Sequence, residues 1–136
     1  MLKKILALVM CLVLMCGMGV VASAETAENK VQPRYSYTNI ITATLTNSGG
    51  KALCGADVEG YSGTTTKIVI TMTLQKKTLL WWSEVEEWTT TSNTFYATLV
   101  KTATVDSGKH RVKVEATVYS GSNSEEVSCT SQTYDF

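Results

Sequence analysis

The sequence is short of the residues on which most catalytic and metal chemistry is built. It has one histidine, one proline, two phenylalanines and four cysteines in 136 residues, and its twelve basic and twelve acidic residues cancel. A single histidine, His110, leaves any metal site to carboxylates and any Ser–His or Cys–His pair without support, so neither a metal nor another cofactor is expected. The absence of a basic block, with signs scattered along the chain, argues against nucleic acid and anionic membranes as primary partners. Outside the first two dozen residues, no stretch carries an apolar stripe at i, i+3, i+4 and i+7 long enough for a stable helix.

What those first residues do carry is a targeting signal. Lys3 and Lys4 form a basic start, Ile5 to Val21 is apolar but broken by Gly17 and Gly19, and Ala22-Ser23-Ala24 is an A-x-A cleavage site. The expected organisation is a signal peptide over 1–24, a loose leader over 25–34 and one folded domain over 35–136, secreted without a membrane anchor. Lipoprotein processing is disfavoured because Met10 and Met15 precede Cys11 and Cys16 where a small residue is needed. Cleavage would leave ten basic and twelve acidic residues, a net charge near −2, and two cysteines, Cys54 and Cys129. Two cysteines in an exported chain are expected to pair, which contributes about 3–5 kcal/mol in the chain-entropy model; the alternative is a pair of buried free thiols, since spacing does not show that the two residues meet.

The rest of the chain alternates with period two. Ile41, Ala43 and Leu45 are separated by threonines; Ala52, Cys54, Ala56 and Val58 follow; then Ile68, Ile70, Met72 and Leu74; and last Val112, Val114, Ala116 and Val118 between polar neighbours. Half-buried strands have this pattern, and the abundant β-branched threonine suits it. Ser, Gly, Asn and Thr clusters punctuate the runs at roughly ten-residue spacing. About seven strands are expected, near 35–46, 52–60, 66–77, 84–91, 94–104, 109–119 and 125–134. The expected fold is an all-β, immunoglobulin-like antiparallel sandwich.

Two resemblances bear on that expectation. Asp106-Ser107-Gly108-Lys109-His110-Arg111-Val112 resembles the D-S-G-x-Y-x-C stretch that opens strand F of immunoglobulin-like domains, with His110 in the tyrosine's place and Val112 in the cysteine's. The usual inter-sheet disulfide is therefore missing, and a Cys54–Cys129 bridge would join the second strand to the last. "PRYSYTNIITATL", "GYSGTTTKIVITMTLQKK", the pattern Trp82, Val85 and Trp88, and "HRVKVEATVYSG" together resemble a family of small exported proteins of Gram-positive bacteria, known as a domain of unknown function. That resemblance implies secretion and a bacterial source, and no activity.

Four sets of residues are candidates for function. Tyr61-Ser62-Gly63 and Tyr119-Ser120-Gly121 repeat one tripeptide at two turns, and in an immunoglobulin-like topology those turns share an end. Tyr61, Thr64, Thr65, Tyr119, Ser122 and Asn123 would then form a surface with the composition of binding loops. Leu79-Leu80-Trp81-Trp82 falls at a hairpin tip, where Trp81 and Trp82 could stack on a sugar or touch a protein. Glu84, Glu86 and Glu87 beside the tryptophans could serve a glycosidase, although charges on an edge strand also block edge-to-edge pairing. Plain alternation puts Glu84 with Glu86 on one side and Trp82 with Trp88 on one side, unless a bulge intervenes. His110, opening an apolar face, reads as a packing residue. The functional expectation is a secreted, non-enzymatic module that binds a surface glycan or protein. The alternatives are a small antagonistic, bacteriocin-like factor and, less favoured, a glycan hydrolase.

Overall fold

A computed structural model of the chain describes residues 35–136. The expected signal peptide and leader lie outside the described residues. Strands β1 (Thr38–Ser48), β2 (Lys51–Gly60), β3 (Lys67–Lys77), β4 (Trp82–Ser92), β5 (Tyr96–Ala103), β6 (Lys109–Ser120), β7 (Asn123–Thr130) and the short β8 (Tyr134–Asp135) account for the elements. They form two antiparallel sheets, β1-β2-β5 and β4-β3-β6-β7, with β8 added to the start of β6. This is an immunoglobulin-like order in which β4 sits on the free edge of β3 rather than beside β5.

The alternating residues point where their period requires. Ile68, Ile70, Met72 and Leu74 of β3 and Val112, Val114, Ala116 and Val118 of β6 are buried against Ala52, Cys54, Ala56 and Val58 of β2. Large side chains on one sheet meet small ones on the other, so the two inner faces interdigitate. Register agrees on both sides of β3: Met72 stands opposite Trp88 of β4 and Val114 of β6. The expected seventh strand is two pieces. β7 ends at Thr130, and after Ser131, Gln132 and Thr133 the chain returns as β8, where Gly108 and Phe136 exchange backbone hydrogen bonds of 3.0 Å each.

The expected disulfide is not formed. Cys54 and Cys129 are free thiols, and the topology explains it. Cys54 lies on the middle strand of the three-stranded sheet, opposite Leu45 and Lys101, while Cys129 lies on the edge strand of the other sheet, opposite Val114. Across the core β7 packs against β1 rather than β2. Cys54 is buried in the core and Cys129 is half-buried against it, and both pack as small apolar side chains. Burial, with a smaller contribution from the Glu86 carboxylate, pushes the Cys54 thiol up to about 11 from 9.0. Because the folded state disfavours the thiolate, the stability linked to this group is intact below pH 9 and is lost as pH rises through about 11. Urea unfolding between pH 8 and pH 11 should show a decline on the order of 2 kcal/mol in the native chain that is missing from Cys54→Ala.

Candidate functional site

The two Tyr-Ser-Gly turns meet at one end of the sandwich. Lys67, which opens β3, is paired with Tyr119 near the end of β6, so the β2–β3 loop and the β6–β7 turn are neighbours. Their backbones nevertheless use the shared tripeptide differently. In the first, the Tyr61 carbonyl accepts from the Thr64 amide at 3.0 Å, and Gly63 is third in the turn with φ 84°, the type II position. In the second, Ser120 and Asn123 are paired, and Gly121 is the first of two connecting residues with φ 60°, as a type II′ hairpin requires.

A lattice of hydrogen bonds joins these turns to two further segments. The Thr65 hydroxyl donates to the Tyr37 carbonyl at 2.5 Å and accepts from the Tyr61 amide at 3.0 Å. Thr66 donates its amide to the Tyr119 carbonyl at 2.8 Å, and its hydroxyl oxygen accepts from the Gly121 amide at 3.0 Å. The Gly60 amide donates to the Phe95 carbonyl at 2.6 Å, bringing in the β4–β5 turn. The Glu125 carboxylate accepts from the amides of Ser36, at 3.2 Å, and Tyr37, fixing the entry of the chain. Such charge-assisted bonds to consecutive amides hold a segment more firmly than neutral ones.

Five of the six expected residues lie on the surface of this end. Tyr61, Thr64, Ser122 and Asn123 are exposed and Tyr119 is half-buried, with the Lys67 ammonium 4.4 Å from its ring centre. Thr65 is not a surface residue: it is buried, and its hydroxyl is used in both directions inside the loop. The sequence reading missed Tyr35, Tyr37, Phe95 and Tyr96, which lie at the same end, and Thr66, which couples the turns. Five of the six tyrosines thus gather here. The tyrosines carried a compositional signal; Thr66 carried none.

The tryptophans and glutamates lie at the other end and along β4, and a bulge rearranges them. Leu74 is paired with Glu86 but Gln75 with Glu84, so Val85 has no partner. Residues on either side of it consequently exchange faces. Glu86 and Trp88 turn toward the interior, opposite buried Leu74 and Met72, while Glu84 and Glu87 turn outward, opposite Gln75 and Thr73. This corrects the expected shared side of Glu84 with Glu86 and of Trp82 with Trp88. Trp82 lies on the outer face beneath the Arg111 guanidinium, 4.2 Å from its ring. Trp88 packs against the core and Trp81 is exposed. His110 is buried, shares its Nδ1 with the Gly108 carbonyl at 2.9 Å, and meets the Phe136 ring edge-on at 5.3 Å, the packing role expected of it.

Among the described residues, no group of three or more His, Cys, Asp and Glu is placed to hold a metal ion. A shallow groove of about 490 Å³ runs over the outer face of β3, β6 and β7, between Thr71, Lys113, Glu115 and Glu126. Neither Glu84 nor Glu87 lines it. Compared with known proteins, the chain matches no family model and no curated protein. Two crystal structures of wild-type OgpA from Akkermansia muciniphila are distantly similar, at 12% and 9% identity with TM-scores of 0.42 and 0.40. The matches cover 76% and 77% of this chain, which spans about a third of OgpA, 32% in each case.

The loop lattice predicts an unusual glycine. A Cβ on Gly60 would lie 2.2 Å from Thr65 Oγ1 and 2.5 Å from its Cβ, although the backbone at Gly60 has no positive φ. Gly60→Ala should therefore cost about 1–3 kcal/mol in urea unfolding. A loss below 0.5 kcal/mol, the range of an ordinary surface change, would mean that Thr65 does not fill this space.

Proposed function

We propose that the protein is a secreted, non-enzymatic binding module that recognises a surface glycan or protein with its tyrosine-bearing end. The observation that carries this reading is the hydrogen-bonded lattice of that end. Four chain segments are tied together through Thr65, Thr66, Gly60 and Glu125, while Tyr61, Thr64, Ser122 and Asn123 are left exposed. A rigid scaffold beneath Tyr, Ser, Thr and Asn side chains suits recognition, because tyrosine offers a large amphipathic contact area at low entropic cost and the small polar residues adapt their hydrogen bonds. Rings flanked by hydroxyls and amides also suit sugars, which present apolar faces and hydroxyl edges. Export and a Gram-positive source belong to this reading through the A-x-A leader and the family resemblance.

A hydrolase built on Glu84, Glu86 and Glu87 draws less support. Glu86 faces away from the other two, and Glu84 and Glu87 stand on the open outer face of an edge strand. An inward-facing charge such as Glu86 is a means of preventing another strand from adding to that edge.

Titration calorimetry of the chain from Glu25 onward against cell-wall fragments and a glycan panel tests the proposal, with Tyr61→Ala and Trp81→Ala run in parallel. A saturable ligand should lose about thirtyfold in affinity with Tyr61→Ala, as expected for a central aromatic anchor. It should bind Trp81→Ala unchanged. Binding indifferent to Tyr61→Ala would remove the tyrosine end as the site.

A further inference from the structure

The strongest unexplained feature lies at the opposite end. Leu79, Leu80 and Trp81 are 97%, 82% and 65% exposed, three large apolar side chains in succession at the β3–β4 tip. The tip is held closed: both the amide and the hydroxyl of Thr78 donate to the Trp81 carbonyl at 2.8 Å, and the strands pair as far as Lys77 and Trp82. The apolar residues therefore project from a defined hairpin.

Antiparallel chain reversal also sorts the charges that look scattered in the sequence. Lys76 and Lys77 end β3, Lys109 and Arg111 open β6, and Lys51 opens β2, all at the end that carries the tip. Lys101 near the end of β5 adds a sixth cation, and four carboxylates accompany them: Glu84, Glu86, Asp106 and Asp135. Among the described residues the balance reverses at the tyrosine end, with Asp57, Glu59, Glu125 and Glu126 against Lys67. The domain is polarised along its strands, positive behind the apolar tip and negative at the far end.

We infer that the β3–β4 tip is a membrane-docking element that seats Leu79, Leu80 and Trp81 in the headgroup region of an anionic bilayer. Cations set behind an apolar projection match such a surface, where basic side chains meet anionic headgroups and the apolar ones enter by roughly 5–10 Å. Tryptophan is enriched at that depth because its ring is apolar with one polar edge. A convex knuckle of three side chains is far smaller than the ~800 Å² per partner of a standard protein interface, whereas a bilayer needs no complementary shape. Charge polarity would orient the approach tip first and hold the tyrosine end roughly 35–40 Å away, the length of β6. The inference reverses the expectation, drawn from scattered charges, that anionic membranes are not partners. It is independent of the tyrosine-end reading.

Residues 35–136 contain both sheets and the whole core cluster, so the chain from Glu25 onward carries the complete sandwich, free of the apolar stretch before Val21. Its partition onto phosphatidylcholine vesicles with and without phosphatidylglycerol can be followed by co-sedimentation and by quenching of tryptophan emission with brominated lipid. Partition should favour phosphatidylglycerol and fall at least tenfold in Leu79→Ser/Leu80→Ser/Trp81→Ser at unchanged melting temperature. Lys76→Gln/Lys77→Gln should lose about fivefold per charge on anionic vesicles, and Tyr61→Ala nothing. No partition by the native protein, or partition undiminished in the triple variant, would overturn the inference. A concentration-dependent dimer abolished by the triple variant, without vesicle binding, would also overturn it and assign the tip to a second copy of the chain.

Discussion

Burial of every second side chain on β3 and β6 constrains the whole molecule. Ile68, Ile70, Met72 and Leu74 lie beside Val118, Ala116, Val114 and Val112, pair by pair, and all eight are buried. A slip of one residue would turn these side chains to solvent and bring Lys, Thr, Glu and Arg inward, so register is fixed by a large hydrophobic penalty. Fixed register sets the level at which each strand ends. It places Tyr119 beside Lys67, and so puts the β2–β3 loop within hydrogen-bonding reach of the β6–β7 turn. The same register sends Lys76 to His110 at the other end, where the hairpin leaves the sandwich.

The two ends consequently differ in kind. One has exposed hydroxyls and amides among half-buried and exposed tyrosines over a bonded backbone, under net negative charge. The other carries an apolar knuckle in front of cations. Between them, among the described residues, the buried polar side chains are Thr38, Thr65 and His110, and burial raises the thiols of Cys54 and of half-buried Cys129. The two unlike surfaces thus lie at opposite ends of one buried core.

Much of this was legible in the residues. Alternation around Val112–Val118 and Ile68–Leu74 gave strands and inner faces, and the topology that follows put both Tyr-Ser-Gly turns at one end. The exposed Leu79-Leu80-Trp81 tip was visible as an apolar run between two strands. Other features needed three dimensions. The bulge at Val85 has no glycine to announce it, and it alone separates Glu84 from Glu86 and Trp82 from Trp88. The unpaired thiols follow from which strand packs across from which, a matter on which spacing is silent. Thr65 and Thr66 are adjacent in a run of threonines, yet one is buried under the loop and the other bridges two turns. Charge polarity appears only after the strands reverse.

The central claim is that the tyrosine end is one bonded unit. Amide hydrogen exchange by NMR tests it most directly, at Tyr61, Thr66 and Gly121, whose amides each bond to a partner within or across these loops. All three should be protected well above free-loop rates, and Thr65→Val should release Tyr61, which loses its acceptor, while the core of β6 stays protected. Exchange of these amides at unprotected rates in the native protein would contradict the account.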